Sequence, residues 1–438
     1  MTDASTIYAL SSGAGRAGIA VIRISGPQAR EVMALMSAPE VLDRRAGLRR
    51  IVHPVTRAAL DHAVVLFFAG PRSETGEDVA EFQVHGGRAV VRAVLDALGQ
   101  IAGCRIAEPG EFARRAFENG KIDLAEVEGL ADLIDAETEA QRHQALQQAG
   151  GVLSTLYESW RTRLIEIAAL TEAAIDFSDE GDVGSRSAEI ARLRAKPLRA
   201  EISSHLDDGH RGEILRDGYR VALLGPPNAG KSSLLNALAR RDAAIVSADA
   251  GTTRDVIEVR LDLGGLPVIV SDTAGIRETD GIVEREGIRR SLAAARDADL
   301  TLWLSETGRD VIPDSISRET SLLIRTKFDL GGAAPEASVS ISTKTGVGID
   351  DLIRLIAGRA ADAVGGDNVQ PALTQARHRQ HLETAAASLA TFLDADPGVL
   401  ELRAEDVRQA AHAIGRITGR VDVEDVLSVI FSRFCIGK

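Results

Sequence analysis

The chain has 438 residues, 45% of them hydrophobic and 26% charged, which is the balance of a soluble globular protein and excludes a mainly disordered one. At about 150 residues per domain, that length gives roughly three domains. Lys and Arg number 51 against 64 Asp and Glu, a formal net charge of −13; attraction of nucleic acid or anionic membrane over the whole surface is excluded, and any RNA contact falls to a local basic patch or a partner. No run of 18 apolar residues predicts a membrane span. Met1–Ser5 has neither the basic nor the apolar region of a secretory signal. The two cysteines, Cys104 and Cys435, form no C-x-x-C pair, so no disulfide framework and no cysteine zinc site is expected. These features together predict a reduced, cytoplasmic protein without membrane attachment.

Three regimes follow one another. From residue 1 to about 120, apolar segments at Gly18–Ile24, Ala63–Phe68 and Val79–Val84 read as strands closed by turn residues. Val90, Val91, Val94, Leu95 and Leu98 keep a helical period after the third strand, so this part is α+β. From about 121 to 213 the pattern is helical. Leu124, Val127, Leu130, Leu133 and Ile134 mark one face, and Leu153, Leu156, Trp160, Leu164 and Ile167 another. Gly150-Gly151 and a polar Ser178–Ser187 stretch interrupt it. From about 217 to 364 strands alternate with helices: Arg220–Leu224, Val268–Ser271, Leu300–Leu304 and Leu322–Ile324 against Lys231–Leu238, Val283–Ala295 and Asp350–Ala357. That alternation predicts a parallel sheet with helices on both faces. Helical periodicity returns from about 370 to 438. This last block is short for a core of its own, so it is expected to complete the helical domain of 121–213, with the α/β unit inserted between the two pieces.

Gly225-Pro226-Pro227-Asn228-Ala229-Gly230-Lys231-Ser232 fits G-x-x-x-x-G-K-[ST], a match that arises by chance in roughly one per cent of chains this long. A strand precedes it and a helix follows. Its glycines let backbone N–H groups face phosphate oxygens, and the helix N-terminus adds a positive dipole end. Lys231 would reach the β- and γ-phosphates, and the Ser232 hydroxyl would hold Mg²⁺.

The downstream strand ends choose the base. Asp272-Thr273-Ala274-Gly275 brings a carboxylate towards Mg²⁺ and a glycine N–H towards the γ-phosphate. Thr253, in Gly251-Thr252-Thr253-Arg254-Asp255, can become the second Mg²⁺ hydroxyl. Asp329, in Thr326-Lys327-Phe328-Asp329, can accept from the N1–H and N2–H of guanine, a donor pair adenine lacks. Ser342-Thr343-Lys344 would close over the base. Four such pieces in order resemble the small GTP-binding proteins. That family's base motif usually begins with Asn; Thr326 offers one donor in place of an amide's two. Ras-like proteins orient the attacking water with a Gln just after D-x-x-G. Ile276 stands there, so hydrolysis is feeble or another group acts; Arg277, Glu278, Asp280, Glu284 and Arg285 are the nearby polar residues.

Over its whole length the sequence resembles the tRNA-modification GTPases of the MnmE (TrmE) family. The residues that carry this are Gly18–Gly26, Thr75-Gly76-Glu77-Asp78-Val79, His85-Gly86-Gly87, Pro109-Gly110-Glu111-Phe112, Asn119–Leu124, the G motifs, and the ending Phe434-Cys435-Ile436-Gly437-Lys438. The resemblance implies an N-terminal α+β domain that dimerises and binds formyl- or methylene-tetrahydrofolate, and a discontinuous helical domain carrying an inserted Ras-like G domain. It implies a heterotetramer with an FAD-dependent flavoprotein (MnmG/GidA), which together install an aminomethyl or carboxymethylaminomethyl group on C5 of the wobble uridine of tRNA. Hydrolysis of GTP then drives G-domain closure, with potassium in the place of an arginine finger.

Residue by residue, the resemblance assigns nucleotide contacts to Asn228-Ala229-Gly230-Lys231-Ser232-Ser233, to Ser247-Ala248-Asp249-Ala250-Gly251-Thr252-Thr253, to Asp272-Thr273-Ala274-Gly275, and to the two base motifs. It assigns K⁺ to Asn228, Ser247, Asp249 and Thr252, water positioning to Glu284, and folate to Arg23, Glu81, Lys121 and Lys438. Taken alone, Arg23 reads as a strand-end charge, Glu81 as an edge residue and Lys121 as a helix-flank charge. Cys435 reads as a small buried thiol, or, beside Lys438, as a participant in the modification chemistry. His85 reads as structural. Arg44-Arg45 with Arg49-Arg50, and Arg377-His378-Arg379, read as solvated faces or tRNA contacts. Two other classes fit parts of the chain: a GTP-switch factor for ribosome assembly, and a folate-dependent transferase with an inert G domain.

Overall fold

A computed structural model describes residues 5–39, 41–177, 181–245, 257–272, 293, 295–331, 337–365, 372–395, 400–421, 427, 430–432 and 434–437. The chain divides into two compact units. One comprises Met1–Ala131, Ser154–Glu158 and Gly415–Lys438; the other comprises Asp132–Leu153 and Ser159–Ile414.

The first unit is built on a six-stranded sheet of β1 (Thr6–Leu10), β2 (Ile19–Ser25), β3 (Gly47–Val52), β4 (Ala59–Phe68), β5 (Val79–His85) and β6 (Cys104–Ile106). The order is β3-β4-β5-β2-β1-β6, antiparallel except for the β1–β6 pair. Period-two alternation sends Ala20, Ile22 and Ile24 of β2, with Ala80, Phe82 and Val84 of β5, into one core. That core is closed by α1 (Ala29–Met36) and α2 (Arg88–Leu98), through Val32, Met33, Met36, Val94 and Leu98. On the opposite face Ile7 and Ala9 pack against Phe112 of α3 (Glu111–Glu118). Short, weakly patterned β1, β3, β6, α1 and α3 escaped the sequence reading; the three strands it named are all present.

In the second unit β7 (Tyr219–Leu224), β8 (Ile257–Leu263), β9 (Leu266–Asp272), β10 (Leu300–Ser305), β11 (Ser321–Arg325) and β12 (Val339–Ser340) form a sheet of order β12-β11-β10-β7-β9-β8. It is parallel except for β8, which pairs antiparallel with β9. The wholly parallel expectation therefore needs correcting. The stretch Ile257–Leu263 alternates apolar and charged residues and is a hairpin partner joined to β9 by Gly264-Gly265.

Helices α4 (Leu124–Asp135), α5 (Glu139–Ala149), α6 (Val152–Asp176), α7 (Gly181–Leu206) and α8 (Arg211–Asp217) precede this sheet, and α9 (Lys231–Ala239) lies within it. Then come α10 (Ile349–Val364), α11 (Ala376–Asp394) and α12 (Leu400–Thr418). Leu153, Trp160, Leu164 and Ile167 are buried as their spacing predicts, but Ile134 is 45% exposed. Gly181–Ser187, read as part of a break, already belongs to α7. A break the pattern did not show separates α4 from α5, where Thr138 forms a capping box with Gln141. The Val283–Ala295 helix falls mostly outside the described residues. No helix among the described residues is long and apolar enough to cross a membrane.

Candidate functional site

β7 ends at Leu224, and the chain turns at Gly225 with φ +139°; a side-chain carbon there would stand 2.3 Å from the Leu304 carbonyl oxygen. Only glycine lets the loop pass so close to β10. The loop ends at Gly230 in the left-handed region, which is the N-cap of α9. Lys231 is buried, and its Nζ donates to the carbonyls of Gly225 and Pro226 at 2.9 and 3.0 Å. The Ser232 hydroxyl donates to Asp272 Oδ2 at 2.7 Å, with Asp272 fully buried at the end of β9. Two hard oxygen donors thus meet beside a helix N-terminus, a donor set that suits Mg²⁺. Asn228 is exposed on the same loop with φ +63°.

The base motifs meet at the neighbouring strand ends. Phe328 N–H donates to the Ile341 carbonyl at 3.0 Å, which joins the two loops. The Ser342 hydroxyl donates to Asp329 Oδ1 at 2.7 Å. That bond is the main reason the exposed Asp329 carboxyl lies below its ordinary range. Lys327 sits at φ +52° and pairs with Glu306, a partner the sequence reading missed because it lies 21 residues away with no motif around it. Thr343 and Lys344 are exposed beside them. The structure therefore brings together Lys231, Ser232, Asp272, Asp329 and Ser342 at the C-terminal ends of β7, β9, β11 and β12, the edge where open α/β sheets take ligands. Ser247, Ala248, Asp249, Ala250, Gly251, Thr252, Thr253, Thr273, Ala274, Gly275, Glu284 and Lys438 lie outside the described residues.

In the first unit Arg23 and Glu81 face each other across β2 and β5. Arg23 Nε donates to Glu81 Oε1 at 3.0 Å, and its Nη1 pairs with Glu74 Oε2 at 2.6 Å. Arg23 is mid-strand rather than at a strand end. Glu81 sits on the interior strand β5 rather than at an edge. Both readings are corrected by the strand order, which spacing does not reveal. Both Arg23–Glu81 contacts end on Oε1, each at 3.0 Å. Beneath them Ser25 and Thr75, both fully buried, share a 2.7 Å hydrogen bond, and Glu77 takes bonds from Ser25 Oγ and Arg115. Burial alone would raise the Glu111 carboxyl, but Arg105, the Glu108 N–H and Arg115 outweigh it and hold it below the ordinary range.

Lys121 Nζ donates to the Pro71 carbonyl at 2.9 Å. The chain end docks on the same sheet: Ile436 bridges to Pro109, and the Ser11 hydroxyl donates to the Gly437 carbonyl at 2.7 Å. Ser11 N–H in turn bonds the Val21 carbonyl, two residues from Arg23. Cys435 is exposed, which corrects its reading as a buried thiol. His85 is held by Asp61 at 2.8 Å, in keeping with a structural role. The solvated-face reading of Arg377-His378-Arg379 also needs correcting. His378 is fully buried, and Arg379 donates to Leu206 O, Asp208 Oδ1 and Glu213 Oε1 at 2.8, 2.6 and 2.8 Å. Arg44, Arg45 and Arg50 are exposed as expected.

Two family models match the chain. The model of the MnmE helical domain matches residues 124–435, and that of the GTP-binding protein TrmE N-terminus matches 6–121. The tRNA modification GTPase MnmE of Parvibaculum lavamentivorans is 56% identical over 439 residues, covering 99% of this chain and all of that one. The protein of the same name from Caulobacter vibrioides is 50% identical over 455 residues and covers both chains completely. Among solved structures, Aquifex aeolicus Era is similar at 23% identity over 39% of this chain and 66% of its own, with a TM-score of 0.26. The G domain of the T. maritima FeoB iron transporter matches at 24% identity over 32% of this chain and 98% of its own, with a TM-score of 0.23. End-to-end identity at this level, with both family models in their expected order, has one meaning: the chain belongs to the MnmE family of tRNA modification GTPases.

Proposed function

We propose that this chain is a potassium-activated GTP hydrolase that works in the cytoplasm on tRNA. With an FAD-bearing partner of the MnmG (GidA) type and a tetrahydrofolate one-carbon donor, it adds an aminomethyl or carboxymethylaminomethyl group to C5 of the wobble uridine. Its domains in this reading are residues 1–120 for folate binding and dimerisation, 121–213 with 370–438 for the helical body, and 217–364 for the inserted G domain. The observation that carries the reading is the 2.7 Å Ser232–Asp272 bond, set at one sheet edge with buried Lys231 and the Ser342–Asp329 pair.

Lys231 exchanges its two loop carbonyls for the β- and γ-phosphate oxygens, and its charge offsets charge that develops as the γ-phosphoryl leaves. Ser232 with Thr253 would hold Mg²⁺, and Asp272 anchors that hydroxyl from behind. Asn228, Ser247, Asp249 and Thr252 would hold K⁺; a bound cation there supplies positive charge beside the leaving phosphate oxygens. Glu284 positions the attacking water in place of the absent glutamine. Asp329 accepts from the Watson–Crick edge of guanine, and Ser342 fixes its carboxylate plane. Arg23, Glu81, Lys121 and Lys438 would hold the folate, with Glu81 Oε2 towards the pterin N–H edge and the cations towards its glutamate carboxylates. Cys435, which is exposed, would be available to the modification chemistry.

The test is GTP turnover in K⁺ against Na⁺, with and without the flavoprotein. Turnover should rise in K⁺ alone. Glu284→Ala should cut it by about 100-fold or more while nucleotide affinity stays unchanged. Equal rates in both salts, or K⁺-stimulated turnover in Glu284→Ala, would refute the mechanism.

A further inference from the structure

Thr326 opens the base motif at the end of β11 and is only 3% exposed. Its backbone N–H donates to the Ser305 carbonyl at 2.8 Å, and its Oγ1 donates to the same oxygen at 3.3 Å. Ser305 ends β10, is fully buried, and has its own hydroxyl oxygen fixed by the Gly308 N–H at 2.7 Å. A hydroxyl carries one proton, and this one is spent on Ser305. Thr326 Cβ, Cγ2 and Oγ1 lie 3.8, 3.9 and 4.0 Å from the point where a side-chain carbon on Gly230 would stand. The Thr326 side chain thus lies against the last glycine of the phosphate loop, with its one hydroxyl proton directed to Ser305.

Nucleotide chemistry says what faces that wall. In guanosine the five-membered ring is the one bonded to ribose, and the N1–H and amino groups lie at the far end of the six-membered ring. With that far edge on Asp329 and the phosphates in the 225–232 loop, the five-membered ring lies towards the loop, where Thr326 stands.

We infer that Thr326 makes this chain read guanine by its N1–H and amino edge alone, since the wall beside the five-membered ring offers a methyl group and a committed hydroxyl in place of a donor to N7. This rests on the guanine-nucleotide reading above and names the residue that sets its selectivity. An amide at 326 would have a second donor to offer; threonine does not.

The experiment is displacement of a fluorescent GDP from the full-length protein by GDP, 7-deaza-GDP and ADP. In 7-deaza-GDP a C–H replaces N7 and nothing else changes. The wild type should bind 7-deaza-GDP within about twofold of GDP, less than the value of one hydrogen bond. Thr326→Asn should bind GDP about fivefold or more tighter than 7-deaza-GDP. Thr326→Val, which keeps the shape and loses the hydroxyl, should leave the ratio of the two unchanged. A wild-type preference for GDP over 7-deaza-GDP of about fivefold or more overturns the inference and needs no variant to fold. Loss of that preference in Thr326→Val would identify the hydroxyl as the N7 donor and overturn it equally. ADP displacing the probe as well as GDP does would instead overturn the guanine-nucleotide reading itself.

Discussion

In the second unit the described candidate residues gather at the ends of parallel strands, whereas in the N-terminal sheet Arg23 and Glu81 sit within neighbouring antiparallel strands. The difference has consequences for chemistry. Parallel strands all end on the same edge, so each loop delivers a contiguous run of residues to one place. Gly225–Ser232 and Thr326–Asp329 are such runs. An antiparallel sheet instead assembles a site from single residues on neighbouring strands. Arg23 and Glu81 are 58 positions apart and meet only because β2 pairs with β5. The first kind of site tolerates changes in its loops while the core stands; the second is part of the sheet, with Arg23 and Glu81 each about 14% accessible at the side chain.

Acid should separate the two units most. Burial pushes His205, which packs edge-on to Trp160, down to about 4, against the opposing charge of Asp208 and with Arg211, His378 and Arg379 adding to the shift. The unfolded chain takes up that proton near pH 6.5. Stability is therefore complete above 6.5 and lost as pH falls towards 4, by about 3 kcal/mol. In the N-terminal unit Glu111 is held below its ordinary range, so its contribution survives until pH falls below the unfolded carboxylate value. Both tryptophans, Trp160 and Trp303, belong to the second unit. Tryptophan fluorescence during denaturation should therefore show that unit weakening from pH 6.5 downwards, and His205→Gln should flatten the slope. An unchanged slope in that variant would place the acid sensitivity elsewhere.

Asp329→Asn replaces the acceptor of the guanine edge with a group that also donates. GTP affinity should fall by about 100-fold, with folate binding unaltered, as measured by titration calorimetry with each ligand. Arg23→Ala is the mirror experiment. It leaves Glu81 without its cross-strand cation, so 5-formyl-tetrahydrofolate should bind about 30-fold more weakly while GTP binds as before. If either variant damages both sites, the independence of the two sheets fails. Ser342→Ala should have the smallest effect, a loss of about fivefold in GDP affinity, because Asp329 keeps its charge and loses only the bond that orients it.

Much of the nucleotide site was legible because its spacing is dictated by local backbone chemistry. A phosphate loop needs glycines at fixed offsets and a helix immediately after, and those demands are met within eight consecutive residues, Gly225–Ser232. Helical faces such as Leu153–Ile167 were legible for the same reason, since a period of 3.6 is a local property. What depended on pairing was not. No spacing announces that Glu81 lies on an interior strand, that Glu306 reaches Lys327, that Arg379 ties Leu206, Asp208 and Glu213 together, or that the Gly437 backbone docks on Ser11.

Local sequence thus determined where the phosphate-loop and base motifs stand, because the hydrogen-bonding geometry of a loop is written in adjacent residues. Tertiary structure alone decided which distant charges neutralise one another and which donors remain. The Thr326 hydroxyl shows the division: its identity is plain in the chain, but its commitment to the Ser305 carbonyl exists only once β10 and β11 lie side by side.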